Sequence, residues 1–406
     1  MPRRLDVTAI LAVAVAALLL RLPASVILLV LSGPVVILVR GLHLHTRLHA
    51  PLLWSLHGTG LVCSLLAQAD SPEKLLGINS AAIITGQLLL AVAALRTGAP
   101  RMALRWITSG LYAGLCGLYL LGVYEVVTGD KMLPRFYPDA SSIDLVHSNR
   151  ILATAIFPNY NDFSVALVFL AAVCVTRLFF GRGRSQLGLL VDAVILATST
   201  VWIFAMGSRG ALLALVMIVA VAALASVMAL HPGLVRPVHV TAGAVLLAGG
   251  VGLLWTTPWL QDNSTKARVT ILEQASAMMG EDPFRLLFGW GSYADYKVAA
   301  NVDYPGQLMD THNLLLEIVV SYGLPTLLVF LACWVFVIVR GLLQQRIDRD
   351  WRSLSMVVMA SSLPLLGVVP SSLLRYHWPF LVMTACFIAL AVWERDATDQ
   401  RSLTPR

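Results

Sequence analysis

The chain has 406 residues, 58% of them hydrophobic and only 13% charged, and its mean hydropathy is +0.79. Soluble domains carry about 25% charged residues, so a soluble globular protein is excluded and bilayer rules govern the fold. The net charge of +7 sits mostly in short loops between apolar runs. No basic patch is interleaved with aromatics, so the excess is a topology signal and not a nucleic-acid site.

A membrane span needs about 20 mostly apolar residues. With no water to pair backbone groups, spans are helices; a closed barrel would read as short alternating segments. The N-terminus, Pro2-Arg3-Arg4 followed by an apolar run to Leu20, mimics a secretory signal. A second long apolar run follows within a few residues, which makes the first an uncleaved span. Spans are predicted at 5–21, 24–40, 51–68, 78–96, 105–124, 161–181, 187–206, 209–229, 238–257, 313–340, 353–370 and 376–394. The expected fold is an all-α polytopic membrane protein of about twelve transmembrane helices, with one large periplasmic loop containing short helices. Residues 1–124 hold the first five spans, 125–160 a periplasmic loop, 161–257 spans six to nine, 258–312 the large loop, and 313–406 the last three spans and a cytoplasmic tail. An amphipathic helix is expected near Thr265–Met279. Gly323 and Pro325 should bend the tenth span, which would open a lateral way in for a lipid tail.

Most of the 29 Lys and Arg fall in loops on the N-terminal side, among them Arg40, Arg101, Arg182, Arg236, Arg346 and Arg401. The short loops opposite hold Arg21, Lys74, Arg209 and Arg375. The positive-inside rule therefore puts both termini in the cytoplasm and the two long loops outside, in the periplasm of a Gram-negative cell.

Few residues stand out as carriers of chemistry. His312 lies where the long loop meets an apolar helix. Asp310 and Thr311 are good capping residues, which places His312 in the first turn. The positive helix end disfavours an imidazolium and keeps the ring neutral, either as a base or as a plain helix-end residue. Arg209, in Gly207-Ser208-Arg209-Gly210, sits at a tight outer connection. It suits an anion held at a helix N-terminus, or it snorkels to the interface. Arg268 and Arg285 lie in the large loop with Lys266 and Lys297, and a guanidinium binds phosphate in a bidentate fork. Gly289-Trp290-Gly291 follows no strand and is not a dinucleotide fingerprint. Cys63, Cys116, Cys174, Cys333 and Cys386 lie in apolar runs as packing residues. His57 is inside a span and reads as packed. His43, His45 and His49 lack Cys or carboxylate partners, so no metal site is expected. Arg375 and His377 either line the same cavity or anchor the twelfth span. Asp192 is the one ionisable group well away from the outer boundary. No internal repeat is present, against a transporter or lipid flippase.

In this order the pieces resemble the O-antigen ligase family. The resemblance rests on Phe157–Asp162, Ser208-Arg209-Gly210, Arg268, Pro283 with Gly289-Trp290-Gly291, and His312-Asn313 with Leu316 and Gly323. It covers roughly Phe157–Pro325. The five residues between Pro283 and the glycine pair depart from the family spacing and add Arg285 as a rival to Arg268, which is preferred. The resemblance implies an inverting, metal-independent glycosyltransferase of the bacterial inner membrane with its active site on the periplasmic side and no cofactor. His312 would be the catalytic base; Arg209, Arg268, Arg285 and Asn313 would bind substrate. The donor would be O-antigen polysaccharide on undecaprenyl pyrophosphate, the acceptor lipid A–core, and the surroundings membrane lipid. The same superfamily contains O-antigen polymerases and O-linked protein oligosaccharyltransferases, which remain alternatives.

Overall fold

The computed structural model describes residues 7–22, 24–41, 50–68, 74–96, 100–130, 146–147, 150–151, 153–157, 159–181, 185–231, 263–305, 310–344, 350–370 and 372–403. The apolar runs become helices, the conformation that satisfies every backbone group from within one segment. They are α1 (Ala9–Leu19), α2 (Ser25–Arg40), α3 (Ala50–Gln68), α4 (Lys74–Arg96), α5 (Pro100–Thr128), α6 (Tyr160–Phe180), α7 (Gln186–Met206) and α8 (Arg209–Leu230). The loop helices α9 (Asn263–Glu281), α10 (Pro283–Phe288) and α11 (Tyr293–Asp303) follow, then α12 (Leu314–Gln344), α13 (Trp351–Leu366) and α14 (Trp378–Leu403). A two-residue ribbon pairs Val146–His147 with Arg150–Ile151, and a 3-10 turn occupies Leu374–Tyr376.

Among the described residues, six helices are long and apolar enough to cross a membrane: Asn79–Arg96, Pro100–Thr128, Tyr160–Phe180, Gln186–Met206, Arg209–Leu230 and Leu314–Gln344. The protein is therefore an all-helical polytopic membrane protein. A helix lies in each expected span except the ninth, at 238–257, which falls outside the described residues, as do His43, His45 and His49. The helix expected near residue 265 is α9. The glycine-rich stretch beyond it is more ordered than its sequence suggests, because Asp282 and Ser292 cap α10 and α11 with their side chains.

α6 and the first four turns of α14 are buried on nearly every side and form the bundle centre. A helix apolar all round belongs there. Around them α2 packs on α4, α1 on α5, α3 on α12 and α8 on α13. Small residues permit the closest approach: a Cβ on Gly110 of α5 would fall 2.4 Å from the Ala12 carbonyl oxygen of α1. At the end away from the loop helices, the fully buried Asp192 of α7 pairs with Arg177 of α6 at 3.3 Å and accepts from the Tyr112 hydroxyl of α5 at 3.1 Å. The Arg177 guanidinium also lies 4.0 Å over the Tyr112 ring. Asp192 thus ties three helices together.

The bend in α12 has a specific cause and a specific occupant. Pro325 has no N–H, so the Ser321 carbonyl four residues earlier loses its helical partner. Gly323 leaves helical geometry altogether, at φ 78° and ψ 168°. The freed carbonyls are taken by the large loop: Trp290 N donates to Val320 O at 2.8 Å and Gly291 N to Ser321 O at 2.9 Å. Ser64 of α3 donates to the Gly291 carbonyl at 2.7 Å, which joins α3 to the same clasp. The expectation that the bend opens a lateral way in is corrected here, since backbone from Leu287 to Gly291 fills it. A second apolar cluster seals the loop onto α12, with Met278, Met279, Trp290, Tyr293 and Tyr296 against Leu316, Val319 and Val320.

Candidate functional site

His312 stands at the end of the large loop, just before α12. The helix starts at Leu314, and the residue whose side chain caps it is Asn313, its Oδ1 accepting from the amides of Leu315 at 3.0 Å and Leu316 at 3.3 Å. This corrects the assignment of the cap to Asp310 and Thr311, and with it the placement of His312 in the first turn. Those two residues serve α11 instead. Asp310 meets Lys297 Nζ at 2.9 Å and accepts from the Tyr293 hydroxyl at 3.2 Å, while Thr311 N donates to that hydroxyl oxygen at 3.0 Å. Burial, and then the carboxylates of Glu317 and Asp310, push the Tyr293 phenol well above its ordinary pKa, so it stays protonated in this role. Held from both sides, His312 takes a left-handed backbone, φ 45°. A non-glycine residue pays strain there, and such residues concentrate at functional sites.

The ring is held as firmly as the backbone. Nδ1 of His312 lies 2.8 Å from the carbonyl oxygen of Pro370. A carbonyl only accepts, so Nδ1 donates the proton and a neutral ring keeps its lone pair on Nε2. Burial holds the imidazole pKa below its ordinary value, and the positive charge of Arg268 lowers it further; Asp310 and the Pro370 hydrogen bond act against them. His312 is half-buried.

The four other expected residues separate into distinct places. Arg268, half-buried on α9, is close enough to His312 for its charge to act on the ring. Arg209 begins α8, directly after the left-handed Gly207 and the buried Ser208. The next residue, Gly210, is pressed against Val369, where a Cβ would fall 2.6 Å from that side chain. Arg209 is therefore joined to the segment whose Pro370 carbonyl holds His312. Arg285 points elsewhere. Its guanidinium reaches the carbonyls of Ala67 at 3.3 Å and Gly289 at 3.4 Å, and pairs with Asp282 at 3.7 Å. These contacts fasten α10 to α3. Asn313 spends its side-chain oxygen on the helix cap.

Three buried carboxylates, none of them among the expected site residues, organise this end of the bundle. Glu125, at the end of α5, accepts from the amides of Thr154 at 2.9 Å and Ala155 at 2.6 Å, shaping the turn that leads to Phe157. Asp162, capped into α6 by Asn159, accepts the Tyr376 hydroxyl, and the Arg21 guanidinium lies 5.4 Å over the Tyr376 ring. Glu317, one turn into α12, accepts from the amides of Leu373 and Leu374. A carboxylate inside an apolar run is the signal that could have found Glu125 and Glu317, while Asp162 closes the Phe157–Asp162 stretch already singled out. His377 is buried beside this segment, and the side chain of Arg375 lies outside what is described. His57 is packed within the bundle, bonded at both ring nitrogens to Leu53 and Thr384.

Residues 169–331 match the family model described as O-antigen ligase. The match opens inside α6, after Phe157–Asp162, and runs through Arg209, Arg268, Arg285 and His312 to the middle of α12. No curated protein matches the chain. The family is one of glycosyltransferase-like enzymes whose substrates are lipid-linked polysaccharides. The motif order, the helical bundle and this match agree: over residues 169–331 this membrane protein is similar to the O-antigen ligase family.

Proposed function

We propose that the protein transfers O-antigen polysaccharide from undecaprenyl pyrophosphate to lipid A–core at the periplasmic face of the bacterial inner membrane, with both termini in the cytoplasm. The observation that carries the reading is the 2.8 Å contact from His312 Nδ1 to the Pro370 carbonyl. It gives the neutral ring a single tautomer with Nε2 free to accept a proton, as a general base must. A depressed pKa keeps the ring neutral near pH 7.

In the proposed step a hydroxyl oxygen of the acceptor sugar attacks the anomeric carbon of the donor. The bond from that carbon to the phosphate oxygen breaks, and undecaprenyl pyrophosphate leaves. The hydroxyl proton passes to His312 Nε2. Base catalysis of this kind contributes roughly 10²–10⁴-fold. Arg209 and Arg268 hold the pyrophosphate and stabilise the charge that grows on it as the bond breaks. Arg285 acts indirectly, by fastening the loop that carries Arg268. Direct attack inverts the anomeric carbon.

The test is transfer by the purified, reconstituted protein with undecaprenyl-pyrophosphate-linked O-antigen and lipid A–core lacking O-antigen, in the presence of a chelator, beside His312→Ala. Laddered lipopolysaccharide is expected from the wild type alone. Ladders of equal strength from His312→Ala would remove the base assignment. An intact donor and no product from the wild type would overturn lipid A–core as the acceptor, and a protein or a growing glycan would be supplied next.

A further inference from the structure

Glu317 lies within an apolar run, Leu314–Val320, and is fully buried. An unpaired carboxylate there would cost several kcal/mol. Both oxygens are engaged: Oε1 accepts from Leu373 N at 3.2 Å and Oε2 from Leu374 N at 2.7 Å. These amides open the 3-10 turn at Leu374–Tyr376. Such amides are ordinarily capped by a neighbouring Ser, Asp or Asn. Here the cap comes from another helix, 56 and 57 residues away in sequence.

The same stretch of chain meets the start of α12 at two other points. A Cβ on Gly367 would fall 2.4 Å from Cβ of Leu314, so the backbone there lies directly on the helix. Pro370 O receives the His312 proton at 2.8 Å. Gly367, Pro370 and the amides of Leu373 and Leu374 are thus buckled to α12 through Leu314, His312 and Glu317. Of the three, the Glu317 pair consists of charge-assisted hydrogen bonds, the strongest kind available. Nothing covalent holds the Pro370 carbonyl in line with the ring; its place follows from where the segment is anchored on either side.

We propose that Glu317 is a positioning residue for transfer: by gripping the amides of Leu373 and Leu374, it sets the Pro370 carbonyl that orients the His312 ring and selects its tautomer. This rests on the reading of His312 as the base, but the geometry can be tested without any transfer.

The test uses full-length Glu317→Gln in nanodiscs, with ring-¹⁵N-labelled histidine and the His312 signals identified by their loss in His312→Ala. At a pH where the ring is neutral, the wild type is expected to show a protonated Nδ1 and an unprotonated Nε2. Glutamine offers one acceptor oxygen for two amides and carries no charge. Its His312 signals are expected to move toward the other tautomer or to a mixture. In transfer assays kcat is expected to fall on the order of tenfold to a hundredfold with the donor KM little changed, as for a catalytic group misplaced by about 1 Å. A wild-type tautomer signal in Glu317→Gln would overturn the proposal. So would a loss of donor affinity with kcat unchanged. Should Glu317→Gln fail to yield folded protein, Glu317→Asp keeps the charge but is one methylene too short to grip both amides, and the same readouts decide. If the wild type transfers nothing, that result counts against the proposed activity, and the tautomer readout still decides the role of Glu317.

Discussion

Gly323→Ala tests the clasp between the large loop and the bend of α12. The native backbone at Gly323, φ 78° and ψ 168°, is a region that L-residues scarcely visit. A Cβ added there would fall 1.9 Å from Leu287 O, 2.4 Å from Leu287 C and 2.7 Å from Phe288 N. All three are backbone atoms and cannot swing aside. The strain costs about 1–3 kcal/mol and the overpacking about as much again, so a loss of roughly 2–6 kcal/mol is expected. The chain has a cheaper response, which is to lift the loop. That breaks the bonds from Trp290 to Val320 and from Gly291 to Ser321, each worth about 0.5–1.5 kcal/mol. It also leaves the Ser321 carbonyl without the donor that Pro325 cannot supply. Loop release is therefore expected before the bundle itself fails. In nanodiscs, limited proteolysis should cut Gly323→Ala within residues 263–305 much faster than the wild type. The melting temperature should fall, and transfer should fall with it, because Arg268 travels with the loop. The control is Gly280→Ala. A Cβ there meets nothing within 4 Å in a helical stretch, so the change is expected to be neutral or stabilising by about 0.5–1 kcal/mol. Equal protease resistance and equal melting in Gly323→Ala and wild type would refute the clasp.

Arg268→Gln should move the pH dependence of transfer. The guanidinium holds the His312 pKa down, so without it the pKa rises. The neutral base is then lost at higher pH as acid is added, and the acid limb of kcat/KM shifts upward. In the wild type that limb should lie below the ordinary histidine value of about 6.5. An unmoved or lowered limb in Arg268→Gln would separate Arg268 from His312. Arg285→Ala should leave the acid limb where it is and instead weaken loop docking by about 1.5–3 kcal/mol, the worth of a charged hydrogen bond, read as faster proteolysis of the loop. A shifted limb with an undisturbed loop would reverse the roles given to the two arginines.

The helical, membrane-spanning character of the chain was legible because a bilayer requires backbone groups to be paired within a segment, and hydropathy reports that constraint directly. The bend was legible for the same kind of reason, since Gly323 and Pro325 act on their own backbone. What fills the bend was not, because the donors at Trp290 and Gly291 are backbone amides about thirty residues away that any side chains could have carried. The residue type at His312 was equally plain, but its state was not. The cap at Asn313 and the left-handed turn before it depend on how the loop arrives, and the hydrogen bond that selects the tautomer ends on a main-chain oxygen at Pro370. Glu317 shows the difference most sharply. A carboxylate in the run Leu314–Val320 announces that something must hold it, yet its partners are two amides with no sequence signature at all. Motif reading therefore finds the groups proposed to touch substrate more readily than those proposed to aim them, since the former are chosen for chemistry and the latter for an acceptor at the right point in space. In this protein the aiming is done largely by backbone, so substitution of motif residues alone would under-report how the site works, and variants of Glu317 and Gly323 carry information that variants of His312 cannot.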